Sequence, residues 1–267
     1  MTTVFRALLT AFFLVAGAGA SALAAPGGVA SVAAERTAFK VTTSDGRVLR
    51  SPDLVGVQFV VAGSGKSMRL RIDGVERDPK ARRGDVWLHS LSYQAGDGSW
   101  QNLCEAGPDG RRQAFPIAGR ARPAASTIEA AEPGIFELTC TAGAQGKCIR
   151  FGYLPWESGD MLRLYNACVY MVRADYCGDG SATTRNGMLI NIYDSRGIQK
   201  PDRAAGFDFE AGWTEHGAVC VRHTRVPENA TLEWLARTCP RLREALGADC
   251  NEGAARRAGA FLFNRSR

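Results

Sequence analysis

Residues 160–194 read DMLRLYNACVYMVRADYCGDGSATTRNGMLINIYD, and their pattern sets the architecture of the second half of the chain. Met161, Leu164, Tyr165, Cys168, Met171 and Val172 recur at three- and four-residue intervals, the spacing that lines one face of an α-helix. Asp160 stands where a capping side chain accepts from the free N–H groups of the first turn. Gly178-Asp179-Gly180-Ser181 is expected to end the helix, because glycine takes left-handed backbone angles without steric cost. Met188 to Tyr193 follows as a short apolar strand with Asn191 near its middle. A helix, a glycine turn and a strand thus succeed one another, with Cys168 and Cys177 set among them.

Towards the C-terminus, Phe207 to Trp213 and Gly217 to Thr224 read as strands. Leu232, Leu235, Ala236 and Cys239 mark an amphipathic helix capped by Asn229 or Thr231, and Cys239-Pro240 opens a last short helix through Leu246. Towards the N-terminus the pattern is β. Val55 to Val61, the alternating Met68 to Ile72, Val86 to Tyr93, Trp100 to Cys104, Phe115 to Ile117 and Ile135 to Thr139 read as strands, with turns at Gly63 to Lys66, Asp73-Gly74 and Gly96 to Gly98. The fold class expected is α+β: a β-rich N-terminal half, then a disulfide-stapled mixed half carrying two or three helices on short strands.

The chain opens with a secretory pattern: Arg6 is the charge, Ala7 to Ala20 the apolar run, and Ala22-Leu23-Ala24 the small-residue cleavage site. Residues 1–24 are read as a signal peptide, 25–45 as a flexible leader and 46–119 as a β-rich module. Residues 120–133 are read as a linker or long loop, 134–250 as a mixed module and 251–267 as a basic tail. Export predicts a periplasmic or extracellular protein in an oxidising compartment. The eight cysteines, Cys104, Cys140, Cys148, Cys168, Cys177, Cys220, Cys239 and Cys250, all follow the cleavage site and are expected to pair completely. Cys168 and Cys177 are too far apart along a continuous helix to pair with each other, so separate partners, among Cys140, Cys148 and Cys220, are expected. The formal charge of +6 is concentrated near the end, where Arg256, Arg257, Arg265 and Arg267 face Glu252 alone. Such a tail suits contact with anionic surfaces, and no nucleic-acid module is present.

The extension Ala174-Asp175-Tyr176-Cys177 carries the namesake signature of the ADYC-domain family, and the chain resembles that family from about Phe136 to Leu242. Lys147 to Tyr153 (KCIRFGY), Gly212-Trp213 and Val219 to Arg225 (VCVRHTR) share in the resemblance. It implies a bacterial, cell-envelope setting and brings no catalytic residues with it.

Other motifs are weaker. Val60 to Ser67 (VVAGSGKS) has valine where a phosphate loop needs its first glycine and is followed by a strand pattern, so it reads as a hairpin. No Gly-x-Ser-x-Gly occurs, and a fully paired cysteine set leaves no thiolate for Cys220 and His223 to use. His89, His216 and His223 do not form a ligand pattern, and no metal or other cofactor is expected. Asp175 falls at the end of the apolar helical stripe, where a carboxylate must be paired or hydrogen-bonded. It is expected to be buried and held by donors between Gly178 and Arg185. The function expected is a cell-envelope or secreted binding or structural module, whose partner is an envelope polymer, a peptide or a protein. The alternative is a small exported hydrolase using Asp175 with His223 or His216, aided by Arg185. A concave pocket joining Asp175, Arg185 and a histidine would favour the hydrolase, and a flat surface with exposed Trp100, Trp156 or Trp213 the binding module.

Overall fold

The computed structural model describes residues 4–6, 29–63, 66–81, 83, 85–122, 126–157, 159–202 and 206–267. The chain is α+β, and it divides into two compact units. The first lies within Met1–Lys80, Gly84–Ala121 and Glu129–Gly143; the second lies within Ala81–Arg83, Arg122–Ile128 and Ala144–Arg267.

The first unit is built of β-strands, with one 3₁₀ turn at Ser51–Leu54. Val4–Arg6 (β1) is followed by a three-stranded antiparallel sheet of β2 (Val29–Glu35), β3 (Ala38–Thr43) and β4 (Val48–Arg50). The segment expected to be a flexible leader is therefore structured from Val29 onward: Phe39 and Val41 face the core and tie β3 down. Next come β5 (Gln58–Gly63), β6 (Lys66–Arg77), β7 (Trp87–Gln94), β8 (Trp100–Asn102) and β9 (Ala114–Ala118). The short strand β10 (Arg120–Ala121) and β12 (Ile135–Cys140) follow, while the two-residue β11 (Ile128–Glu129) falls at the boundary of the units. The stretch expected to be a linker thus holds two short strands. Asp73-Gly74 does not end β6; the β6–β7 register shifts between Ile72 and Gly74, so the turn signal marks a bulge. VVAGSGKS spans the β5–β6 hairpin, in which Gly63 pairs with Lys66. The sheet order is β6-β5-β1-β12-β9-β7-β8, and β6 also pairs with β7. Six strands therefore close into a ring in which β1 is one stave. The remainder of the expected signal peptide, 1–3 and 7–24, lies outside the described residues.

Phe39 centres this core, edge-on to Phe59, Phe136 and His89 with ring centroids 5.3, 5.8 and 5.0 Å away. His89 Nε2 lies 2.7 Å from Ser51 Oγ, which accepts the Phe39 N–H at 2.7 Å. Burial holds the imidazole down at about 4, so it is neutral at pH 7. Cys104–Cys140 staples β12 to the segment after β8.

In the second unit, α1 (Ala144–Arg150) and α2 (Met161–Arg173) are cross-linked by Cys148–Cys168. β13 (Asn191–Asp194), β14 (Asp208–Thr214) and β15 (Gly217–Val221) lead to α3 (Leu232–Thr238), capped by Thr231, and a single 3₁₀ turn at Pro240–Leu242. The last element expected through Leu246 is thus shorter. α4 (Glu252–Arg257) and β16 (Leu262–Ser266) complete the unit. Residues 251–267 are no tail: β16 is an inner strand of the sheet β13-β16-β14-β15, between β13 and β14. Three of the four arginines in this segment are seated on rings, Arg256 over Phe263, Arg265 over Tyr193 and Arg267 over Phe207. Gly212 lets α4 approach the sheet, since a Cβ there would collide with Ala255 and Ala260. Met188 to Ile190 is not strand; pairing with β16 begins only at Asn191.

Glu137 on β12 generates a pH prediction. Its side chain is fully buried, one oxygen accepts the Ala121 N–H at 3.1 Å, and the other has no hydrogen-bond partner among the described residues. Burial pushes the carboxyl up to about 7 from 4.5. A raised folded-state value means that Glu137 favours the fold fully below pH 4.5 and that this contribution is lost as pH rises through 7, on the order of 2–3 kcal/mol. Glu137→Gln is expected to remove that decline in denaturant titrations between pH 5 and 8 (roughly one proton's linkage). Parallel pH profiles for the two proteins would contradict it.

Candidate functional site

The site is built at the C-terminal end of α2. The helix stops at Ala174, which takes left-handed angles (φ 49°), four residues before Gly178, where the sequence suggested a stop. Ala174 N–H donates to the Met171 carbonyl at 3.1 Å and Asp175 N–H to Tyr170 at 2.9 Å, the pattern that closes a helix on its own last carbonyls. Asp160 does not cap the other end through its side chain; its carboxylate meets Arg163 and Arg196 instead.

Beyond the stop, the chain turns back on Asp175. This side chain is fully buried, and its oxygens accept the backbone N–H groups of Gly178 (2.9 Å), Asp179 (3.2 Å) and Gly180 (2.8 Å). Successive backbone donors converging on one acceptor form a small anion nest around the protein's own carboxylate. Burial raises the carboxyl above its ordinary value, with Asp179 adding to the rise and the Gly180 N–H and Arg173 opposing it. Thr183, Thr184 and Arg185 do not contribute: the Thr183 hydroxyl donates to the Ala174 carbonyl at 2.7 Å, Thr184 lies against the Arg185 carbonyl, and Arg185 pairs with Glu228.

Tyr176, next in the signature, points the other way, into the unit. Its ring stacks on Trp213 at 5.3 Å, and its hydroxyl donates to Glu210 Oε1 at 3.0 Å while accepting the Arg225 N–H at 2.9 Å. Burial pushes the phenol well above its ordinary value, so it stays protonated. Glu210 is the extra residue where the β14–β16 register shifts between Phe209 and Ala211, and the bulge re-aims its side chain toward α2. Arg225 receives it as a two-point pair, Nε to Oε2 at 3.1 Å and Nη2 to Oε1 at 2.9 Å. Its other N–H groups donate to the Met171 carbonyl at 2.8 Å, the Val172 carbonyl at 3.1 Å and Thr184 Oγ1 at 3.3 Å. All five guanidinium donors are thereby used.

A third arginine closes the turn. Arg241 donates to the carbonyls of Tyr176 (2.9 Å), Cys177 (3.0 Å), His216 (2.9 Å) and Ala218. A Cβ at Gly178 would collide with the His216 carbonyl, and one at Gly217 with the Gly178 nitrogen and Tyr176 oxygen. Glycine is thus required on both sides of this close approach. Cys177 pairs with Cys239 and Cys220 with Cys250. All eight cysteines pair, and Cys168 bonds to Cys148 and not to Cys177, as expected. The partner of Cys177 lies outside the expected set, because α2 ends before it and the turn carries it to Cys239.

The hydrolase residues do not converge through hydrogen bonds among the described residues. The His216 side chain is 75% exposed and 3.8 Å from Glu215. His223 Nδ1 lies 3.4 Å from the Thr224 carbonyl and its buried Nε2 has no hydrogen-bond partner among the described residues, while Asp175 is enclosed by its own turn. Trp213 is fully buried, and Trp100 and Trp156 are half-buried. Sequence reasoning missed Glu210 and Arg241 and placed Arg225 only within a motif; no periodicity marks them, because their partners lie far along the chain.

A helix end fastened to a bulged strand by a buried ion pair, a turn closed on its own aspartate, and three disulfides between neighbouring elements define a cross-linked α+β domain organised around an ADYC turn. The chain belongs to the ADYC-domain family, whose model matches residues 51–227. The match begins well before the resemblance read from the sequence and takes in most of the first unit's strands. No curated protein and no solved structure matches the chain.

Two predictions follow from this geometry. Asp175→Ala is expected to cost about 1–3 kcal/mol by leaving three N–H groups without an acceptor, and Asp175→Asn less; unchanged denaturant midpoints for both would argue against a structural role. Arg225→Met leaves Glu210 buried and unpaired and is expected to cost about 3–5 kcal/mol. The double variant Arg225→Met/Glu210→Gln should recover part of that loss, and strictly additive losses in the cycle would rule out coupling.

Proposed function

We propose that this ADYC-domain protein is exported and works outside the cytoplasm as a disulfide-stabilised, non-enzymatic binding module of the cell envelope or the secreted pool. The observation that carries the reading is how the signature is used. Asp175, Tyr176, Glu210 and Arg225 are turned inward and partnered with one another or with backbone, so they maintain the shape of a domain and leave no free acid–base pair among them. Complete pairing of the cysteines supports an oxidising compartment, and the Arg6, Ala7 to Ala20, Ala22-Leu23-Ala24 pattern supports export. Among the described residues no helix is long and apolar enough to cross a membrane. The partner class that suits such a module is an envelope polymer, a peptide or another envelope protein.

Mass spectrometry of protein recovered from periplasm or medium is expected to find the mature N-terminus at Ala25 or Pro26. Exported, membrane-bound material that still carries Met1 would overturn the reading.

A further inference from the structure

We propose that the slot filled by Val4–Arg6 between β5 and β12 is emptied when the leader is removed, and then accepts an extended strand of another polypeptide. This rests on the export reading, because only cleavage empties the slot.

The argument begins with the closure of the ring. β6 pairs with both β5 and β7, β7 with β9, and β9 with β12, so the ring is complete everywhere except between β5 and β12. There a single strand bridges the two: Val4, Phe5 and Arg6 pair with Glu137, Phe136 and Ile135, and Arg6 also pairs with Ala62. Taking that strand away leaves two edges facing each other across a gap one strand wide, roughly twice the 4.8 Å strand spacing. Each edge then presents unpaired backbone donors and acceptors, the template on which an added strand docks.

The walls of the slot specify the occupant. On the inner face, Val61 of β5 and Phe136 of β12 belong to the Phe39 core, so an incoming strand needs an apolar residue opposite Phe136. On the other face of β12 stands Glu137, fully buried, with one carboxylate oxygen lacking a hydrogen-bond partner among the described residues. Directly opposite residues of an antiparallel pair share a face of the sheet. The register places Val4, an aliphatic residue type, opposite Glu137. A strand with a lysine, arginine or hydroxyl residue there, followed by an apolar one, would satisfy the orphaned oxygen and fill the inner face. The partner inferred is therefore an extended peptide segment alternating donor-bearing and apolar residues.

The test uses purified mature protein whose N-terminus has been verified by mass spectrometry. The probes are three fluorescent peptides: Thr2 to Leu9 (TTVFRALL), its Val4→Lys form and its Phe5→Pro form. Anisotropy is expected to show binding of the first, several-fold tighter binding of the lysine form and at least tenfold weaker binding of the proline form. Hydrogen exchange should show peptide-dependent protection at Ala62 and Ile135 to Glu137. Verified mature protein that binds none of the peptides, or binds the proline form equally well, would overturn the slot while leaving export intact. Exported protein retaining residues 1–24 would overturn both readings. Protection of the same residues in concentrated peptide-free protein, lost on dilution, would show that a second copy fills the slot and would overturn the proposed partner.

Discussion

Everything in the second unit depends on keeping Arg225 charged and fully partnered away from water. The Arg225 and Glu210 side chains are 1% and 0% exposed, a burial that costs several kcal/mol per ion unless the geometry repays it. Here it does so through five donors and a tyrosine hydroxyl. The carbonyls of Met171 and Val172 are among the last of α2, groups that a helix cannot satisfy internally, so the guanidinium acts as cap and ion-pair partner at once. A helix terminus, a strand bulge and the loop after β15 meet at one planar group. Moving any of them would strand a charge.

The same solution recurs on a smaller scale at Asp175 and Asp194. Asp175 gathers three backbone N–H groups from the glycine turn that follows it. Asp194 gathers those of Arg196, Ile198 and Gln199 together with the Tyr153 hydroxyl. In each case an aspartate at the end of a regular element serves as the nucleus of the next loop, supplying acceptors where no ladder or helix does. Such loops are held from within. The disulfides then fix where they sit: Cys177–Cys239 ties the Asp175 turn to the end of α3, and Cys220–Cys250 ties β15 to the start of α4. Each closes a long loop, and each contributes about 2–4 kcal/mol.

The first unit is organised by apolar packing. Two of its buried polar side chains, His89 and Glu137, have opposite signs in their response to acid. His89 is buried neutral between Ser51, the Ala114 carbonyl and the Phe39 ring, and its contribution to stability is present above pH 6.5 and lost as pH falls toward 4. Glu137 is buried on the other face of β12 from Phe136 and responds the other way. Between about pH 4.5 and 6.5 the two slopes run in opposite directions and largely offset each other.

Much of the architecture was legible in local pattern, because periodicity and pairing chemistry are local or compositional properties. The three- and four-residue spacing from Met161 to Val172 produced α2, alternation produced the barrel strands, and an even cysteine count produced complete pairing. Burial of Asp175 was expected from a continuing apolar stripe, but α2 ends before it, and the turn through Gly180 is what encloses the carboxylate. What the sequence could not show was long-range choice. An alanine, not the glycine turn, ends α2, because Tyr170, Met171 and Arg225 reward left-handed angles at Ala174. The arginine-rich terminus became an inner strand, because its alternate residues Leu262 and Asn264 complete a face that only the folded sheet creates. Glu210 and Arg225 became a buried pair, because a bulge and a distant loop bring together side chains 15 residues apart. Propensity and spacing are written in neighbouring residues; partners for buried charge are settled only when the chain has closed around them.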